Sequence, residues 1–188
     1  MKKTITKIIS LILVLCMVFP VVATAVAGNE VTRVSVTING DTATSRGFCW
    51  YTDEKSGTDL QVAPIGTDLT KAEIINGKSY PSMEKYVHKV EADSLIPDTK
   101  YQYRVGDSDA GVWSEIGYFT TSSKTNDEAN FIVISDVQAS NEENFYKASL
   151  VMKEAVKTMP DYEFAINLGD FVNDCTNEEW DSYFRNFA

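Results

Sequence analysis

Histidine is almost absent from this chain of 188 residues: His88 stands alone. A single imidazole excludes a metal site or proton relay built from several histidines of this chain. Cysteine is scarce as well, limited to Cys16, Cys49 and Cys175, so no disulfide framework is implied. Cys49 and Cys175 fall in different parts of the chain and read as small packing residues. Basic side chains are fewer than acidic ones, 17 against 27, which leaves a net charge of −10. Such a surface repels phosphate backbones and excludes a nucleic-acid clamp that works by charge neutralisation. An anionic substrate would need a local positive centre, and a bound metal ion is one candidate. What is present is ordinary for a folded protein, with 44% apolar and 23% charged residues, so disorder is not the default.

The one long apolar run lies at the N-terminus. Lys2, Lys3 and Lys7 precede an uncharged stretch from Ile8 to Val22, followed by Ala25-Val26-Ala27. Charged, apolar and small-residue regions in that order are the pattern of a secretory signal peptide. At about 15 residues the run falls short of the ~20 that span a bilayer, and Pro20 interrupts it. The expectation is a signal peptide over 1–27, no transmembrane span after its cleavage, and a secreted or cell-surface protein. Cleavage would remove three lysines and no acids, leaving the mature chain more acidic still.

From Val31 to Thr121 the pattern is that of short strands. Val34, Val36 and Ile38 alternate with polar residues, and Asn39-Gly40 supplies a tight-turn signal. Phe48 and Trp50, Leu60 and Val62, Ile74-Ile75, Tyr86 to Val90, Tyr101 to Val105, and Ile116 to Phe119 continue the series. About seven strands at even spacing predict a β-sandwich. Leu95-x-Pro97-x-Thr99-x-Tyr101 resembles the turn before the sixth strand of fibronectin type III domains. There a tyrosine hydroxyl bonds back to the loop backbone while its ring packs in the core. His88 lies on one of these strands and reads as a surface or packing residue rather than a ligand.

The polar stretch 122–130 reads as a linker. Beyond it the pattern changes. Phe131 to Ile134 is a continuous apolar run, as expected of a strand covered on both faces. Ser140-x-x-Glu143 is a capping box, after which Phe145, Ala148, Met152, Ala155, Val156 and Met159 recur at helical spacing until Pro160. Tyr162 to Leu168 forms a second strand, and Thr176-x-x-Glu179 caps a further helix. Strand, helix and strand make a βαβ unit with parallel strands.

Ligands of open α/β sheets bind beyond the carboxyl ends of the strands. The first strand runs into Ser135-Asp136-Val137-Gln138, the second into Gly169-Asp170-Phe171-Val172-Asn173. If the strands are neighbours, Asp136 and Asp170 converge, and two converging carboxylates repel unless a cation lies between them. Taken singly, either aspartate also reads as a turn or helix-cap residue. Both at corresponding strand ends of one βαβ unit point to metal.

These two segments resemble the first motifs, D-x-H and G-D-x-x-D, of calcineurin-like metallophosphoesterases. The preceding sandwich resembles the N-terminal fibronectin-like domain of purple acid phosphatases. The resemblance implies a fibronectin-type sandwich over 28–121, a linker over 122–130, and over 131–188 the first βαβ part of an α/β metallophosphoesterase domain. It implies hydrolysis of phosphate esters by metal-activated water at a dinuclear centre of iron, manganese or zinc. By position, Asp136 would bind the first metal and Asp170 would bridge both. Gln138 takes the histidine slot with a neutral amide oxygen, a poorer ligand for transition metals. Asn173 stands where the family has aspartate, or the metal-bound tyrosine of purple acid phosphatases. The third family motif, G-N-H-[D/E], and the later histidines are absent, so the chain is expected to be an incomplete fragment without full activity. The alternative is a non-enzymatic extracellular binding or adhesion module with a vestigial phosphoesterase segment, in which Tyr101, Tyr103 and Trp113 could belong to a binding face, although core packing is the expected role for most of them.

Overall fold

The structure is a computed structural model that describes residues 29–125 and 128–187. The signal peptide expected over 1–27 lies outside the described residues. Among those described, no helix is long and apolar enough to cross a membrane.

Nine strands build two antiparallel sheets in the first part. β1 (Thr32–Thr37), β2 (Arg46–Thr52), β6 (Lys85–Ala92) and β5 (Lys78–Ser82) lie in the order β1-β2-β6-β5. β4 (Ile74–Asn76), β3 (Asp59–Pro64), β7 (Lys100–Asp107) and β8 (Val112–Trp113) form the second sheet. β9 (Gly117–Thr120) also pairs with β7, alongside Lys100 to Tyr103, whereas β8 pairs with Gly106 and Asp107. β8 and β9 are therefore two halves of one broken edge, joined where Ser114 N donates to Val105 O (2.8 Å). A short 3₁₀ turn, Leu69–Lys71, connects β3 to β4.

The alternation read from the sequence becomes the core. Phe48, Trp50, Val90 and Ala92 from one sheet meet Leu60, Tyr101, Tyr103 and Val105 from the other, with Leu95 closing one end. Phe48 packs edge-on to Tyr103 with ring centres 5.0 Å apart. The hydroxyl of buried Tyr101 accepts from Ile96 N at 2.8 Å, the tyrosine turn expected from Leu95 to Tyr101. His88 is fully buried rather than on the surface and stacks on Trp50 at 5.1 Å.

Two strands, β5 and β8, had no sequence signal. β5 reads Lys-Ser-Tyr-Pro-Ser, polar and carrying Pro81, and proline is tolerated only because β5 is a sheet edge. Asn39-Gly40 does not make a two-residue hairpin. The connection runs over 38–45, closed by Asp41, whose carbonyl accepts from Ser45 N (2.9 Å) and whose carboxylate accepts from Ala43 N (2.8 Å). Gly77 marks the passage from β4 in one sheet to β5 in the other. A Cβ there would lie 2.1 Å from the Lys89 carbonyl oxygen, so only glycine fits the crossing.

In the second part, β10 (Phe131–Ile134) and β11 (Phe164–Asn167) pair in parallel, Phe131 opposite Phe164 and Ile134 opposite Asn167. α1 (Glu142–Thr158) lies between them in sequence, and α2 (Asn177–Phe187) follows. The cap of α1 is Asn141 and not Ser140: its side chain accepts from Asn144 N (3.0 Å), and Glu143 pairs instead with Lys147 (2.6 Å). At α2 the expected box is half used. Thr176 Oγ1 accepts from Glu179 N (3.3 Å), while Glu179 turns to Asp174 N (2.7 Å). The expectation that β10 is covered on both faces is corrected. Ile132 is buried, but Phe131 and Val133 on the opposite face remain about half exposed, because a two-stranded sheet has only one face to pack against its helices.

Candidate functional site

The candidate residues Asp136, Gln138 and Asp170 all sit just beyond the carboxyl ends of β10 and β11. The two strands part as regular β-structure, yet their main chains stay linked. Leu168 N donates to Ile134 O (3.0 Å), Asp136 N to Gly169 O (3.3 Å) and Gln138 N to Asp170 O (2.7 Å). Further on, Ala139 and Val172 form a parallel bridge, and Asn173 N donates to Ala139 O (3.3 Å). This ladder holds segments 136–139 and 169–173 side by side.

The backbone of these segments is unusual. Asp136 (φ 55°), Gln138 (φ 37°) and Asp170 (φ 48°) are all left-handed, and Gly169 has φ 123°. Aspartate tolerates this region better than most residues, whereas glutamine gains no such relief from its longer side chain. Beneath the exposed loops Ala139, Phe145, Val172 and Tyr183 form a small buried cluster. Asn167 braces the second turn: its Oδ1 accepts from Gly169 N (3.0 Å) and its Nδ2 donates to Tyr183 OH (3.1 Å). Burial pushes the Tyr183 phenol up, and the bond from Asn167 opposes that. The roles of Asn167 and Tyr183 had no reading in the sequence; an asparagine ending a strand shortly before Gly-Asp was the available signal.

The main chains of Asp136, Gln138 and Asp170 are thus brought together. Two carboxylates and a neutral amide supply oxygen donors only, a set suited to harder ions. Three oxygen donors are fewer than a two-metal centre requires. Among the described residues no group of three or more His, Cys, Asp and Glu side chains is placed to hold a metal ion. Asn173 is exposed, and His88 lies in the sandwich core.

The other candidates sort clearly. Tyr101 and Tyr103 are buried in the core, the role expected for most of these aromatics and not that of a binding face, while half-buried Trp113 lies under the Arg104 guanidinium at 4.3 Å. Cys49 is half-buried, with its thiol pushed up by burial and lowered in part by Lys89. Cys175 is exposed and does not pack as expected.

The family model of the purple acid phosphatase N-terminal domain matches residues 31–121. The match spans the β-sandwich, which is similar to that domain, and it ends before β10. No curated protein matches the chain. Among solved structures, the sensor domain of the anti-sigma factor RsgI4 of Pseudobacteroides cellulosolvens is similar at 18% identity, covering 52% of this chain and 97% of its own, with a TM-score of 0.38. Astrotactin-2, a vertebrate-specific, perforin-like membrane protein, is similar at 14% identity over 66% of this chain and 24% of its own, with a TM-score of 0.34.

Proposed function

We propose that this chain belongs to an exported metal-dependent phosphoesterase, in which Asp136 and Asp170 hold metal and Gln138 contributes an amide oxygen. The observation that carries the reading is the continuation of backbone pairing past β10 and β11, from Asp136 N to Gly169 O and from Gln138 N to Asp170 O. The likeness of residues 31–121 to the purple acid phosphatase N-terminal domain adds support, since phosphate esters are the substrate class of that family. When bound, a pair of iron, manganese or zinc ions would lower the pKa of water and neutralise charge on the phosphoryl group. The part of this chain is to present the carboxylates: the left-handed turns at Asp136 and Asp170 set the main chain, and Asn167 fixes the second turn. Further donors are needed for a two-metal site, because these residues supply at most three.

The reading is tested by manganese binding to the full secreted chain, followed by electron paramagnetic resonance of free Mn(II). Weak binding is expected, reduced at least about tenfold in both D136N and D170N, the loss of one charged ligand being worth more than 1.4 kcal/mol. Binding that neither substitution changes would overturn it.

A further inference from the structure

We infer that the β-sandwich braces α2, and through α2 the loop 169–176, with Arg33 as the fastener. This concerns how the chain holds its own parts and is independent of what Asp170 binds.

The contact begins in β1. Thr32 pairs with Tyr51 and Ser35 with Cys49, so one extra residue is inserted between them, and Arg33 there has φ 51°. A bulge of this kind bends an edge strand and re-aims a side chain. A left-handed, non-glycine residue persists only where its surroundings hold it. What holds Arg33 is α2. Its Nε donates to Asp181 Oδ1 (2.6 Å), and its Nη2 donates to both the carbonyl oxygen (2.9 Å) and the Oδ1 (3.1 Å) of Asn177. The other side of the guanidinium lies over the Tyr51 ring at 5.3 Å. The side chain is only 6% exposed.

The helix dipole does not account for the contact. Asn177 is the first residue of α2, and the N-terminal end of a helix disfavours a cation. The attraction is therefore specific, a planar fork matched to one carboxylate and one residue of the first turn, a geometry lysine cannot reproduce. Two further links among the described residues are peripheral: Ser122 Oγ donates to Glu163 (2.7 Å) and Asn177 Nδ2 to Glu84 (3.3 Å), both exposed. From α2 the hold passes onward, because Glu179 accepts from Asp174 N in the loop that begins at Gly169.

Amide hydrogen exchange of the full chain tests the inference. In R33A, amides of 177–187 and 170–176 are expected to exchange at least about tenfold faster, while those of β2, β6 and β7 keep their protection. R33K is expected to behave like R33A. Should R33A fail to fold, D181A removes the partner from the α2 side without touching β1, and the same local loss is expected. Unchanged α2 exchange in R33A, wild-type behaviour of R33K, or unchanged exchange in D181A would each overturn the brace.

Discussion

His88 carries an unusual burden for a single side chain. Thr52 Oγ1 gives its proton to Glu54 O (2.7 Å), so it accepts from His88 Nε2 (2.8 Å) and leaves Nδ1 to accept from Thr58 Oγ1 (2.8 Å). The core therefore accommodates the neutral Nε2–H tautomer. Burial lowers the imidazole pKa, and the Asp107 carboxylate raises it in part. A histidine depressed in the folded state binds its proton more readily unfolded, so stability is full above about pH 6.5 and falls as pH drops through that value. Denaturant melts are expected to show lower stability at pH 5.5 than at pH 7.5, and H88Q is expected to flatten that slope. Tyr101 gives a second test at this scale. Y101F removes the acceptor of the part-buried Ile96 N–H bond and is expected to cost about 0.5–1.5 kcal/mol in the same assay, with no change in the pH slope. The tyrosine turn was legible because its spacing is local. The environment of His88 was not, since its partners Thr52 and Thr58 come from outside its own strand and no local pattern announces them.

Among the elements, strands with an alternating apolar face could be read directly, since one face of each builds the core. β5 and β8 could not, because edges bury little and their residues obey pairing rather than hydrophobicity. The layer assignment was equally hidden: Asn76-Gly77 looks like any turn, yet it carries the chain between sheets. G77A is expected to destabilise the sandwich by about 2–3 kcal/mol in chemical denaturation, because the Lys89 carbonyl oxygen and the Val90 side chain leave no room for a methyl group. Around the candidate site, the carboxylates at the strand ends could be named from position alone. The backbone ladder that continues past the strands, and the bulge that aims Arg33, depend on pairing between distant segments and leave no periodic trace. The shift of the α1 cap from Ser140 to Asn141 has a local cause, since asparagine caps as well as serine and its oxygen meets the Asn144 N–H.

At the scale of the molecule the two parts differ in kind. The sandwich closes a core between two full layers, whereas β10 and β11 leave Phe131, Val133, Ile166 and Leu168 in contact with water. Limited proteolysis is expected to cut within 122–130 and then to consume the α/β part while the sandwich persists. Equal resistance of both fragments would contradict this. Hydrolysis of p-nitrophenyl phosphate by the chain with added manganese, iron or zinc is expected to stay near background, because three oxygen donors do not complete a two-metal site.

The passage of the backbone at Gly77 also has a mechanical side. β4 is hydrogen-bonded into one leaf and β5 into the other, with a single residue between them. Sliding one leaf along the other would strain that residue at once and require tearing out β4 or β5 first. A pull applied across the two leaves would therefore meet a block whose leaves are riveted together, yielding by peeling at its rims rather than by slippage through its middle.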